Sequence, residues 1–492
     1  ILCPLGCGCC TWNLSLSRAR VHMHKGSLLS NLGSYRDALE DFERSRNLLE
    51  SDRLCTQTDL DCCRLIVLVN TGITLGKRNE NRQAIEVFQR AKVFLNERPF
   101  DWRRDLDGHR IRLHLNMGKC QKKLRRYEGA RCEYETCETY IHEARPVDPN
   151  PFENLFSEVQ LHKGTLLDEC GDFTGAIIAY GKALEGIKKL PQGSEEGIAT
   201  EALVQRNMGA AHYHLHENRE ALFALERSRE IFEKNLFDRF DLEEDRARLY
   251  LNIGAVQTRF GEYKKAIVSY EAAQRAFYCS EKKSKFYENT SLLFMNWGAA
   301  LNGLGEYKEA LVQYDLALLA FEALEAGDGE VNYARKTRLH KNIGASWFGL
   351  GEYKKSLLAY SVSQSIYDNE LEVDHGVDAD RASLQLNIGG SWFRLENFAA
   401  ATAAYDASQE FYYSDELIDR AELDGARLLL HINRCSLFIN QNTQSQRPYF
   451  ISNAVNENEL SLSLLKGDTI GSEVPSVLSL TFATCFHGFH RA

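Results

Sequence analysis

Ten places along the chain carry the side chains best suited to recognition chemistry: His24, Asn70, Asn116, His162, Asn207, Asn252, Asn296, Asn342, Asn387 and His431. Asparagine is a poor residue for a helix interior, so seven of them in ten places need a reason. A primary amide donates and accepts at once, and can pair with a peptide group whatever side chain that residue bears. Basic residues keep step with the amides. Arg20, Arg112, Arg248, Arg338 and Arg427 stand four before these positions, and Lys77, Lys123, Arg259 and Arg394 seven after. Such offsets share one helical stripe. An amide ladder flanked by cations is suited to holding an extended, acidic segment of another protein. The same residues also fit a plainer reading, in which amides bond neighbouring helices and cations pair with acids such as Glu243 and Asp245.

No other constellation competes with this one. His212, His214 and His216 form a short run, but two ligands at i, i+4 do not make a zinc site and no H-E-x-x-H follows. Cys3, Cys7, Cys9 and Cys10 have no partner histidine or second cysteine pair nearby. Asp374 to Asp380 lacks calcium-loop spacing and reads as helix capping. Phosphate loops, nucleophile elbows and supported carboxylate pairs are absent, so the expectation is no enzyme, no cofactor and no metal.

The stripe must be positioned by helices, and the chain supplies them as a repeat. Between Arg248 and Phe277, Leu249, Leu251, Ile253 and Val256 form one apolar stripe, and Ala266, Ile267, Tyr270 and Ala273 a second beyond the break at Gly261. This is a pair of amphipathic helices, neither able to bury its face alone. The unit recurs from Gly26, Gly72, Gly118, Gly164, Gly209, Gly254, Gly298, Gly344 and Gly389, at spacings of 44 to 46 residues. Twelve residues after each glycine comes Ala or Ser, and four further on an aromatic, with Leu225 the exception. A tenth unit places Asn433 at the glycine position and stops after its first helix.

A helix-A glycine followed by A-x3-F in helix B resembles the tetratricopeptide repeat family over roughly residues 15–440. The period near 45 instead of 34, and the missing closing proline, set it with long-period members, distantly like kinesin light chain and the G-protein-signalling modulators. The resemblance implies an all-α, right-handed solenoid of nine to ten helix pairs whose concave groove binds extended peptides. Its groove residues would be Asn70, Asn116, Asn207, Asn252, Asn296, Asn342 and Asn387, with Arg112, Arg248, Arg338, Arg427, Lys123, Arg259 and Arg394. The carboxylate clamp of chaperone-binding members needs asparagine directly after the glycine, where this chain has none.

Net charge is −10, which argues against nucleic acid or an anionic membrane as partner. Fourteen scattered cysteines suit a reducing compartment, and no 18-residue apolar run is present. Residues 1–14 read as a disordered Cys-rich leader and 441–492 as a low-charge tail, disordered or non-native. Pro146, Pro149 and Pro151 mark one joint, and Leu190 to Ser194 a second loop. With no initiator methionine, the chain reads as a fragment. The expected function is a cytoplasmic adaptor, with cytoskeletal or ciliary association open, that binds a protein segment and no small-molecule substrate. The alternatives are a structural subunit packing through helix-B faces and the repeat region of a truncated enzyme.

Overall fold

The computed structural model describes residues 8–51, 57–96, 107–144, 150–191, 193–279, 286–326, 331–371, 375–420, 423–445, 453, 456 and 457. They are helical throughout, with no strand among the described residues. None of the described helices is long and apolar enough to cross a membrane.

One hairpin shows how the sequence produces the unit. Helix α11 (Glu243–Arg259) opens on Glu243, Glu244 and Asp245, whose charges suit the positive end of its dipole. It buries Leu249, Leu251, Ile253 and Val256. Gly261, at φ +72, reverses the chain, and α12 (Tyr263–Cys279) returns with Ala266, Tyr270 and Ala273 buried. Gly254 lies under the Tyr270 ring: a Cβ there would stand 2.5 Å from Cε1. The A-x3-F pattern is therefore a contact between two helices, with the aromatic lying across the other helix's glycine.

The chain divides into two compact units, the first ending at Phe240 and the second beginning at Asp241. The first holds five hairpins: α1 (Gly8–Asn31) with α2 (Tyr35–Ser51), α3 (Gln57–Lys77) with α4 (Asn81–Asn96), α5 (Asp107–Lys123) with α6 (Tyr127–Ala144), α7 (Asn150–Glu169) with α8 (Phe173–Ile187), and α9 (Glu195–His214) with α10 (Asn218–Asn235). The second continues from α11 and α12 through α13 (Phe286–Leu304) with α14 (Tyr307–Ala326), α15 (Tyr333–Gly349) with α16 (Tyr353–Glu370), α17 (Asp378–Arg394) with α18 (Phe398–Tyr412), and a single α19 (Asp424–Ser445). Within each unit every second helix packs on the next hairpin, and successive first helices also adjoin one another.

Four hairpins are tied by a serine three residues after the ring position, which Leu225 fills in one of them. Ser45, Ser228, Ser363 and Ser408 donate to the carbonyls of Ala19, Ala202, Thr337 and Ala382 at 2.8, 2.7, 3.0 and 2.8 Å. Each joins the second helix of a hairpin to the first, giving a buried hydroxyl its partner. The tight turn falls seven residues after every crossing glycine. Four repeats place a non-glycine residue there in the left-handed region: Asn79, Arg125, His216 and Glu396, at φ 69, 56, 62 and 60.

The expected leader and tail are partly helical. Helix α1 begins at Gly8, α19 runs to Ser445, and Glu457 is buried. Pro151 stands in the first turn of α7, a position that tolerates its missing N–H. Ser194 caps α9, accepting from the Gly197 amide at 3.3 Å. The joint at 145–149 and the stretches at 327–330 and 372–374 lie outside the described residues.

Candidate peptide-binding face

The asparagines separate into two groups. In the first unit their amides are engaged. Asn70 Nδ2 donates to Ser27 Oγ of the preceding hairpin at 3.1 Å, and Asn116 Nδ2 to the Arg112 carbonyl at 2.8 Å. The Asn207 amide oxygen accepts from Arg206 Nε and Nη2 at 3.1 and 2.9 Å. Asn70 bonds a neighbouring helix, as the plainer reading has it, whereas Asn116 and Asn207 are engaged within their own helices.

In the second unit the amides are open. Asn252, Asn296, Asn342 and Asn387 sit half-buried on α11, α13, α15 and α17, and no side-chain hydrogen bond engages them among the described residues. Their polar atoms are not sealed from solvent either. Three residues on, one turn along the same stripe, come Ala255, Ala299, Ala345 and Gly390. A side chain no larger than a methyl beside each amide leaves room for a ligand backbone. The first unit has Ser27, Ile73, Lys119, Thr165 and Ala210 at this place.

The tenth unit needs a shift of register. Arg427 is 3 % exposed and donates to the carbonyls of Tyr412 and Leu417, with Asp424 at 2.7 Å. Arg381 does the same one hairpin earlier, with the carbonyls of Tyr367 and Leu371 and the carboxylate of Asp378. Arg381 lies eight residues before Gly389, so the residue equivalent to glycine is Cys435 and not Asn433. Arg427 is thereby a buried strut between hairpins and no groove cation, which corrects the sequence assignment. The same shift puts Asn433 on the ladder as a fifth open amide of this unit. His431 moves to the place of His22 and His114, each of which also meets a carboxylate. His22 contacts Asp41 at 2.7 Å and His114 contacts Glu133 at 2.5 Å, while His431 pairs with Glu457.

The other cations of the stripe are engaged within the protein. Arg248 Nη2 pairs with Glu244 at 2.6 Å, Arg338 Nε with Asp380 at 3.0 Å, and Lys123 Nζ donates to the Gly76 carbonyl at 3.2 Å. Arg394 Nε donates to the Tyr353 hydroxyl at 3.0 Å, and Arg259 also has an internal partner. Burial works to raise the Asp380 carboxyl, but Lys341 and Arg338 outweigh it and hold it below its ordinary value. Glu158 behaves alike, held down against burial by Lys119 and then Arg112. Arg248 and Arg338 are thus matched by carboxylates, while Lys123 and Arg394 donate to neutral oxygens.

The histidine run does not converge. His212 Nδ1 meets Glu217 at 2.6 Å, His214 stacks on Phe173 with ring centroids 4.7 Å apart, and His216 makes the left-handed turn. Among the described residues, no three His, Cys, Asp or Glu side chains gather as a metal site would require.

No family model matches the sequence, and no curated protein does. Solved structures do. The apo form of RapI is similar over 80 % of this chain and 97 % of its own, at 14 % identity and a TM-score of 0.54. The chain has a tetratricopeptide-like helical-repeat fold. A Rap protein complexed with competence and sporulation factor aligns over 82 % and 99 % at 16 % identity, TM-score 0.48. A signal-transduction ATPase with a tetratricopeptide repeat sensor, from Pyrococcus horikoshii, aligns over 77 % and 54 % at 16 % identity, TM-score 0.47. At these identities the likeness is one of fold, and the residues of the face must carry the function.

Proposed function

We propose that this chain is a non-catalytic interaction module whose second unit binds an extended segment of a partner protein along α11, α13, α15, α17 and α19. The observation that carries this is the row of five open amides, Asn252, Asn296, Asn342, Asn387 and Asn433, the first four beside an alanine or a glycine. Amides with no partner among the described residues are poised for an external backbone. Recognition then rests on main-chain hydrogen bonding and not on charge, because Arg248, Arg338 and Arg394 are already engaged. Cysteines scattered through the helices, with Cys62 and Cys63 adjacent and both buried, suit a reducing, cytoplasmic setting. Affinity capture with the full chain and with Asn296→Ala/Asn342→Ala tests the proposal. Partners lost by the variant, whose helical signal stays intact, support it; partners retained in full contradict it.

A second reading has an observation of its own. Val268, Val312 and Leu358 are exposed at one repeat position on α12, α14 and α16, joined by Leu316, Leu319 and Val362 on the same outer faces. An apolar stripe of this kind suits a subunit that packs through its second helices. Leu316→Asp with Leu319→Asp should then reduce association measured by light scattering, and leave peptide capture unchanged.

A further inference from the structure

We infer that the segment bound by the second unit is a polyproline-II helix read at every third residue; this rests on the peptide-binding reading above and narrows it. The five open amides stand on helices that adjoin in series, α11 on α13, α13 on α15, α15 on α17 and α17 on α19. Packed helices lie about 8–10 Å apart, so successive rungs of the ladder are separated by about that distance. A ligand that meets every rung in the same way must repeat its own backbone over the same length.

Three conformations can be compared. An extended strand repeats every two residues, near 6.7 Å, and over three residues it turns its opposite edge to the next rung. An α-helix gains about 10.5 Å in seven residues, but its carbonyls and amides are already bonded to one another. A polyproline-II segment gains about 9.3 Å in three residues, has a threefold repeat and keeps every carbonyl free. Only the last matches the ladder in both length and hydrogen-bonding capacity. Each Asn Nδ2 would donate to one carbonyl in three, and Oδ1 would accept from a following N–H where that residue is not proline. The small residues Ala255, Ala299, Ala345 and Gly390 admit the ligand backbone beside the first four amides. Five rungs span four steps, about 37 Å, or about 12 residues at 3.1 Å each.

The test uses the full chain and a random dodecapeptide phage library, followed by an amide-to-ester scan of the best binder. An ester carbonyl is the weaker acceptor, so each substitution reports whether that carbonyl is used. The expected result is a loss of about fivefold, one neutral hydrogen bond, at every third position, and loss of the periodicity in Asn296→Ala/Asn342→Ala. A period of two, or none, in a binder that still depends on the two asparagines overturns the polyproline-II inference and leaves the peptide-binding reading standing. Binders indifferent to the asparagine pair overturn both.

Discussion

Replacing Gly344 by alanine probes the contact on which every hairpin depends. The added Cβ would stand 2.2 Å from Cε1 of Tyr360, closer than non-bonded carbons approach, and 2.5 Å from Cδ1. Tyr360 is 1 % exposed, so its ring has no free space to retreat into. Overpacking of this kind costs about 1–3 kcal/mol. Alanine returns about 1 kcal/mol through its better helix propensity, and an approach this close belongs in the upper half of the overpacking range, leaving a net loss of about 1–2 kcal/mol. For a body of this size each kcal/mol moves the melting temperature by roughly 2–4 °C, so a fall of about 2–8 °C is expected. Gly390→Ala is the control. Its Cβ would meet Phe348 at 3.8 Å, an ordinary contact, so only the propensity gain remains and the melting temperature should rise. Thermal unfolding followed by circular dichroism measures both. A Gly344→Ala variant that melts at or above the wild-type temperature would refute the steric account of the crossing.

Three further changes have signs fixed by the structure. Glu396→Gly removes a left-handed non-glycine residue, φ 60, and should stabilise by up to about 1 kcal/mol after glycine's entropy is subtracted, read as a higher melting temperature. Burial, then the charge of Lys336, lowers His340 to a pKa of about 4. Its unfolded form therefore takes up the proton first as pH falls below about 6.5, and stability is lost progressively from there to about 4; His340→Gln should flatten melting temperature against pH in that window. Asp168 is displaced the other way, to about 6, by burial and then by Glu169. Its destabilisation grows as pH rises from about 3.9 and is complete above about 6, so Asp168→Asn should raise the melting temperature at pH 7.5 and leave it unchanged at pH 3.

The repeat could be read in the sequence because its crossing contact leaves a two-residue signature. A glycine such as Gly254 and an aromatic such as Tyr270 are both dictated by one steric fact, and nine copies made it unmistakable. The tenth copy was misplaced by two residues because Cys435 replaces the glycine. Only the bonds of Arg427, set beside those of Arg381, restore the register. The ladder was visible as a column of asparagines, but its division was not. Asn70, for one, is engaged by Ser27, 43 residues away. The fate of the cations was hidden for the same reason: Asp380, which holds Arg338, lies on the next hairpin. The left-handed turns at Arg125, His216 and Glu396 had no sequence signal, because the usual glycine is missing from them.

The open amides, and not the engaged ones, are expected to hold the ligand. Isothermal titration of a library-selected dodecapeptide into the full chain, Asn296→Ala/Asn342→Ala and Asn70→Ala/Asn116→Ala measures this directly. Two lost neutral hydrogen bonds at about 1 kcal/mol each predict a roughly 30-fold weaker Kd for the Asn296/Asn342 variant. That variant should still fold, since alanine favours the helix at both places. The Asn70/Asn116 variant should bind as the wild type does. Equal affinity for all three proteins, or a loss that follows Asn70 and Asn116 instead, would contradict it.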